Sequence, residues 1–503
     1  MDTRTTTHTE QAASAMPVFY ASFVDGNSLS AAATSLPLVD PATGRIWAHA
    51  QLDPAAADAA MASAVVARDS GRWADLTGAE RAVMLRRLGD LVAAHAEELG
   101  SLESLANGKP HRATFGEMRA TSRWYHYYAS LAETHDGLVR EIGRSVEARI
   151  EREPLGIVVA ITPFNGALSL GSWKLAPALA AGNVVILKPP AEAPASSIRL
   201  AALAIEAGFP KGVVNVVIGD AAIGEALALH HETAMVTFTG STAAARQLGG
   251  KVVGAMKQFV CEAGGKSAHI VFEDADIGSA VVAATQGAFS ATGQTCVAGS
   301  RLLLHASIAD EFLERYKASI GRLRIGDPKV ADTHVGPVAS AQHLARIAGF
   351  VSGAVAEGGR VLVGGKSPEM PGDLANGCWY APTVIVDVTP DMRVVREEVF
   401  GPVVTVQTFK TEEEAVALAN SSEFGLAAGF WTTDMRRARR VSRKLKAGTV
   451  WVNTYRAIDV KIPFGGYKQS GLGRENGPEA LDEFTQIKSV VTDYAAALDP
   501  FAY

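Results

Sequence analysis

From residue 156 onward the chain keeps a rhythm that few folds accommodate. Short β-branched runs alternate with stretches rich in alanine and leucine. The runs read GIVVAITP (156–163), NVVILKPP (183–190), VVNVVIG (213–219) and MVTFTG (235–240). Strands alternating with helices build βαβ units and hence a parallel sheet. Each run is apolar almost throughout, so the sheet is expected to be covered on both faces. A second series follows residue 265, with strands expected near 268–272, 300–305, 403–408 and 448–453 and helices between them. A chain of 503 residues, at roughly 100–200 residues per domain, has room for both units and an accessory element.

Ahead of the first unit, Val83, Leu85, Leu88, Val92, Leu99, Leu102 and Leu105 recur mostly at steps of three, four and seven. This spacing predicts an amphipathic helix over 78–108, ended by Asn107-Gly108 and Pro110. A further helix is expected around 112–133, its Trp124, Tyr125, Tyr127 and Tyr128 serving as packing. Residues 138–153 are highly charged and alternate loosely, like an exposed hairpin, and 481–495 carry another strand pattern. Exposed strand edges invite a partner, so these two segments are expected to mediate association into a homodimer or homotetramer.

The net charge of −6 argues against a general nucleic-acid binder, which would carry a basic surplus. The basic run Arg436–Lys446 is expected to be a solvated helix surface. Three cysteines, Cys261, Cys296 and Cys378, make neither a disulfide framework nor a paired-cysteine zinc cluster. They fit a reducing compartment. The first 16 residues are polar and lack the apolar core of a secretory signal. No run of 18 apolar residues exists to span a membrane. A soluble, cytoplasmic protein with a loose N-terminal tail is the expectation, with no metal.

Three short segments carry candidate chemistry. Cys296 lies in GQTCVAGSR (293–301) between Gly293 and Gly299, an expected turn or helix start. A helix N-terminus would favour the thiolate, and the same amides could hold an oxyanion. Glu262 precedes Gly264-Gly265 in CEAGGKS (261–267). A carboxylate there, partly buried and raised in pKa, could act as a general base. Asn165 follows Pro163-Phe164 after a strand, where its amide could donate to developing negative charge. No G-x-G-x-x-G follows a strand, and GLGRENG (471–477) fails in spacing and context. What does follow a strand is FTGSTAAAR (238–246). Gly240 would allow the turn, and a helix starting near Ser241 could hold a pyrophosphate on its amides. Lys188 ends the preceding strand at the carboxyl edge, where such ligands bind.

Taken together and in this order, Asn165, Lys174, Lys188, Gly240, Glu262, Cys296, Glu398, Phe400 and PFGGYKQSGLGRE (463–475) resemble the aldehyde dehydrogenase superfamily from about residue 20 to the C-terminus. EAGGK, GQTC and EEVFGPV (397–403) match its glutamate, cysteine and E-E-x-F-G-P-V motifs. The resemblance implies an α/β fold of two Rossmann-like parallel-sheet domains, cofactor-binding and catalytic, plus a small β oligomerisation element. Its boundaries would be a tail at 1–16, a nucleotide-binding domain at 17–134 and 154–264, the oligomerisation element at 135–153 and 479–503, and a catalytic domain at 265–478.

It also implies oxidation of a small aldehyde to a carboxylic acid, with hydride passing to NAD or NADP. The Cys296 thiolate would attack the carbonyl, while Asn165 and the Cys296 N–H hold the oxyanion. Hydride transfer would leave a thioester, which Glu262-activated water hydrolyses, and Lys174 and Glu475 match positions that relay protons. The cofactor would lie against Ile161, Thr162, Pro163, Phe164, Lys188, Ala191, Glu192, Phe238, Gly240, Ser241, Ala263, Gly264, Glu398 and Phe400. A CoA-acylating enzyme would need no water-activating base, so Glu262 favours hydrolysis. Retention of Asn165, Glu262 and Cys296 together argues against a non-enzymatic binding protein on this scaffold.

The sequence departs from the family pattern in places. K-P-x-E becomes KPPAEAP, with Ala191 at the acid's position and Glu192 one later. NAD is favoured and NADP left open on that account. Ala245 replaces a glycine in the nucleotide loop. Gly166 stands where many members carry a large aromatic, so a wider tunnel is expected there. Trp173, Thr295, Val297, Arg456, Ile458 and Phe464 would line the rest of the substrate pocket. Arg456 could pair with an anionic substrate group, or be a rim charge or a packing residue.

Overall fold

The structure is a computed structural model and describes residues 18–29 and 34–495. The tail expected at 1–16, and residues 496–503, lie outside the described residues. The first apolar series forms the heart of an eight-stranded sheet. Its parallel core runs, in spatial order, Gln258–Glu262, Thr233–Thr239, Ile157–Ile161, Val184–Lys188 and Val214–Val216. Every residue of Ile157–Ile161 and Val184–Lys188 is buried, as expected of strands covered on both faces. The edges are antiparallel additions: Gly471–Leu472 beside Gln258–Glu262, and Phe23–Val24 beside Val214–Val216.

A seven-stranded sheet holds the second series. It orders Arg360–Val363, Thr383–Val386, Val403–Phe409, Arg301–His305, Ala268–Val271, Ala427–Trp431 and Thr449–Val452, all parallel but the first. Three of these, at 360–363, 383–386 and 427–431, go beyond the strands read from sequence. Residues 138–153 do form a hairpin, Leu138–Glu141 against Val146–Pro154. The strand Thr485–Asp493 pairs along the whole of Val146–Pro154, so 481–495 is less strand than expected and starts with a helical turn at Glu479–Glu483.

The single helix expected over 78–108 is two, Gly78–Ala94 and Ala96–Asn107, separated at His95 with φ −98° and ψ 17°. The apolar pattern continues across the break because both pieces pack on the same helix, His111–Ala132. Val83, counted in that pattern, is exposed, whereas Ala82 is buried in its place. The basic run forms the helix Met435–Lys444. Arg437 on it is largely covered, pairing with Glu273 and Asp274 at 2.7 Å each. Among the described residues no helix is long and apolar enough to cross a membrane.

The chain crosses from the carboxyl end of Gln258–Glu262 to the amino end of Ala268–Val271 in only five residues, 263–267. The carboxyl edge of the first sheet therefore faces the amino edge of the second, and this seam gathers the candidate residues.

Candidate active site

Strand register brings the first residues together. Phe238 pairs with Ile161 and with Cys261, and Thr239 with Glu262, so three parallel strands end side by side. The chain then turns: Phe164–Gly166 forms one 3-10 turn carrying Asn165 and leads into the helix Ala167–Ala180. Ser241 caps the helix Thr242–Gly254, its side chain accepting from the Ala244 N–H. From the second sheet come two loops, one holding Cys296 before Arg301–His305, the other holding Glu398 and Phe400 before Val403–Phe409.

Cys296 sits in a tight turn closed by the Ala298 N–H to the Thr295 carbonyl (3.0 Å). Of the turn or helix start expected there the structure has the turn, so no helix N-terminus favours the thiolate. Three left-handed residues precede the turn, Ala291, Thr292 and Gly293 (φ 53°, 57° and 68°). For the two that are not glycine this is a costly conformation. Two glycines let the Glu262 loop close on these groups. A Cβ on Gly265 would lie 2.3 Å from the Cys296 carbonyl oxygen, and one on Gly264 would lie 2.4 Å from Glu398 Oε2. The Asn165 amide donates to the Gln294 carbonyl (3.0 Å), two residues before the cysteine.

Electrostatics also differ from the sequence expectation. Burial, with the carboxyl groups of Glu398 and Glu262 nearby, pushes the Cys296 thiol up to about 12; the Arg456 charge and a backbone hydrogen bond act the other way. No helix dipole lowers it. Burial holds the Glu262 carboxyl well above its ordinary range, and the neighbouring Glu475 charge adds to the effect. Both Glu262 carboxyl oxygens lack a protein partner. Behind it Lys174 and Glu475 form a buried ion pair, and Lys174 also donates to Thr237 Oγ1 at 3.2 Å. Burial raises Glu398 to about 7 against the Gly265 N–H, which donates to its Oε1 at 2.9 Å.

Two cavities of about 370 Å³ each open from the seam. Asn165, Leu170, Thr239 and Cys296 line both. One is otherwise walled by Ile161, Thr162, Pro163, Phe164, Glu192, Phe238, Gly240, Ser241, Ala263, Gly264, Glu398 and Phe400. Of the residues expected around a cofactor, only Lys188 and Ala191 do not line it. Ala191 packs instead on the small cluster of Leu38, Ala48, Ala50 and Ile218. Lys188 is buried at its strand end, desolvation pushing its ammonium down while Glu192 and Asp220 oppose. Glu192 thus takes the position on the wall that Ala191 was expected to share. The rings of Phe164 and Phe400 meet edge to face at 5.8 Å.

The other cavity holds Glu262, Glu475, Gly166, Trp173, Thr295, Val297, Arg456, Ile458 and Phe464, the expected pocket residues together. Gly166 does not simply widen it. A Cβ there would meet Ser169 Oγ at 2.8 Å, with Glu117 Oε1 at 3.5 Å. The missing side chain makes room for a polar pair in the wall.

Sequence reading missed four ionisable residues of this seam. His343 and Arg346, from the helix Ala341–Ala356, line the first cavity and donate to the carbonyls of Phe400 (2.6 Å) and Glu398 (2.7 Å). Lys109 and Glu117 line the second. Each comes from a segment remote in sequence from the cysteine, and no local motif marks them.

Comparison with known proteins agrees with this geometry. The chain matches the aldehyde dehydrogenase family over residues 29–490. It is 42% identical to a betaine aldehyde dehydrogenase of Cereibacter sphaeroides over 471 residues, 93% of this chain and 96% of the relative. It is 41% identical to that of Bacillus subtilis over 433 residues, 86% and 88% of the two chains. Among solved structures, a betaine aldehyde dehydrogenase from Staphylococcus aureus in complex with NAD+ superimposes with a TM-score of 0.93 at 36% identity, covering 96% of each chain. PnpE from Pseudomonas sp. WBC-3 gives 0.93 at 40% identity, covering 96% of this chain and 99% of its own. The chain belongs to the aldehyde dehydrogenase family.

Proposed function

We propose that this enzyme oxidises an aldehyde to its carboxylic acid with NAD as hydride acceptor, through a thioester on Cys296 hydrolysed by water that Glu262 activates. One observation carries the reading: two cavities meet at Cys296 and Asn165, and Glu262 faces only one of them. A nucleophile shared between two chambers can hold a carbonyl compound from one side and pass hydride to the other.

The first chamber suits a dinucleotide. The Thr242–Gly254 helix start would hold the pyrophosphate at Gly240 and Ser241. Glu398 would hold the nicotinamide ribose, with Phe164 and Phe400 against the ring, and Glu192 would face the adenosine ribose. A Glu192 carboxylate on the wall would repel a 2′-phosphate, which favours NAD over NADP. When bound, NAD supplies the acceptor for two electrons and a proton as hydride.

The residues of the chain do the rest. Cys296 passes its proton to Glu262, which hands it on toward Glu475 and Lys174, and the sulfur bonds to the aldehyde carbon. The oxygen, now negative, receives hydrogen bonds from Asn165 and the Cys296 N–H; loss of one such donor costs about 10²–10³ in rate. Departure of hydride from that carbon leaves a thioester. Glu262, its carboxyl oxygens free of protein partners, takes a proton from water, which attacks the thioester. The carbon–sulfur bond breaks and the acid leaves. Aldehyde, NAD and water become carboxylate, reduced NAD and two protons. The pair Lys174–Glu475, with Thr237, offers those protons a route away from Glu262. A base facing the substrate chamber favours water over CoA as acyl acceptor.

We read the expected boundaries as the working domain division: 17–134 and 154–264, 265–478, and 135–153 with 479–503 for association into a homodimer or homotetramer. Three unpaired cysteines suit a reducing, cytoplasmic setting. The reaction is tested by following reduced-nicotinamide absorbance over an aldehyde panel with each cofactor. NAD should exceed NADP at least about tenfold in kcat/KM, a Glu192-sized discrimination of roughly 1.4 kcal/mol. Cys296→Ala should abolish turnover. A preference for NADP, or turnover without Cys296, would overturn the proposal.

A further inference from the structure

We infer that Arg456 makes this a dehydrogenase for aldehydes that carry a carboxylate or similar anionic group, which its guanidinium binds in the substrate cavity beside Cys296. The inference rests on the proposed aldehyde oxidation and names its substrate class.

The charges lining the cavity decide it. Lys109 is paired with Glu117 at 2.9 Å. The second Glu117 oxygen accepts from Ser169 Oγ at 2.5 Å, so this carboxylate is fully engaged. Glu475 is paired with Lys174. Glu262 stands in a setting that disfavours its charge. Arg456 remains: its Nη1 is buried and has no hydrogen-bond partner. The charges it senses are Cys296, Glu117 and Tyr455, and the Glu117 oxygens are already taken by Lys109 and Ser169. A buried guanidinium N–H without a partner is costly unless a ligand supplies one, and guanidinium geometry matches carboxylate.

The backbone at this residue supports the same conclusion. Arg456 is left-handed, with φ 61°, a conformation that a non-glycine residue keeps only where its surroundings hold it. Its neighbours do hold it. Tyr455 stacks on His269 at 4.8 Å and donates to the Val297 carbonyl at 3.2 Å, and Trp451 Nε1 donates to the Ala457 carbonyl at 2.9 Å. The loop is fixed on both sides of Arg456 and tied to the residue after Cys296.

The facing wall is aromatic, Trp173 packing on Trp124 at 5.5 Å and on Phe464 at 5.4 Å. Such a wall alone could receive a quaternary ammonium group, the chemistry of the aldehyde that names several relatives. A guanidinium whose Nη1 has no hydrogen-bond partner in the same cavity disfavours that cation. The wall therefore holds the substrate's carbon chain while Arg456 holds its anionic end.

The test compares three probes on the full-length enzyme with NAD: 4-oxobutanoate, pentanal and betaine aldehyde. The wild type should favour 4-oxobutanoate over pentanal at least about tenfold in kcat/KM and disfavour betaine aldehyde. Arg456→Gln should shrink the 4-oxobutanoate-to-pentanal ratio at least about 30-fold, as loss of one partner of a buried charge pair does. Arg456→Lys should keep part of the ratio. Succinate should slow iodoacetamide alkylation of Cys296 in the wild type and not in Arg456→Gln, a readout independent of turnover. Equal use of all three probes by the wild type, or an unchanged ratio in Arg456→Gln, overturns the inference; the wild-type ratio decides even if a variant folds poorly. Failure of every aldehyde to reduce NAD would overturn the proposed reaction instead, and succinate protection would still report on Arg456.

Discussion

Cys296 lies beside two carboxyl groups and is only partly exposed, and that combination sets its reactivity. The thiol, pushed up to about 12, is held protonated at neutral pH, and ionisation of Glu398 near 7 adds opposing charge. Since thiolate is the reactive form, alkylation of the cofactor-free enzyme by iodoacetamide should climb through pH 7–9 by roughly tenfold per unit with no plateau. A plateau below about pH 8 would place the thiol far lower than its surroundings allow. Cys296, Glu262 and Asn165 were legible because each stands in a short glycine-bearing motif at a strand end or turn. The thiol's electrostatics were not legible. They depend on Glu398, about a hundred residues further on, and on a turn rather than a helix start at the cysteine. Glu117, His343 and Arg346 were equally hidden, since only the fold carries them to the seam.

Elements were read best where burial is most uniform. The fully apolar strands Ile157–Ile161 and Val184–Lys188 declared themselves, while Arg360–Val363, at an antiparallel edge and only partly buried, did not. The helix break at His95 escaped notice because no glycine or proline marks it. The hairpin at 138–153 was legible from its charge, but its partner is the chain's own strand Thr485–Asp493. That strand still has an open outer edge, and Ile487 and Val491 are 65% and 60% exposed. Leu138 and Val139 are exposed on the hairpin. Exposed apolar residues along an open sheet edge suit the proposed association. Ile487→Glu combined with Val491→Glu should therefore shift the enzyme to smaller species by size-exclusion with light scattering. An unchanged assembly would exclude this strand from the interface.

At the scale of the whole molecule, function arises from how two sheets face each other. The carboxyl edge of one supplies Asn165 and Glu262, and loops at the amino edge of the other supply Cys296, Glu398 and Arg456. Five residues, 263–267, join them, and Gly264 and Gly265 permit the close approach. The division of labour between cysteine and glutamate is the central claim, and single-turnover analysis of Glu262→Gln with NAD and aldehyde tests it most directly. The variant should release about one reduced NAD per active site and then stall, with deacylation slowed at least about 10²-fold. Intact-mass spectrometry should find the acyl group on Cys296. Steady turnover at the wild-type rate, or a burst without an acyl adduct, would contradict the account.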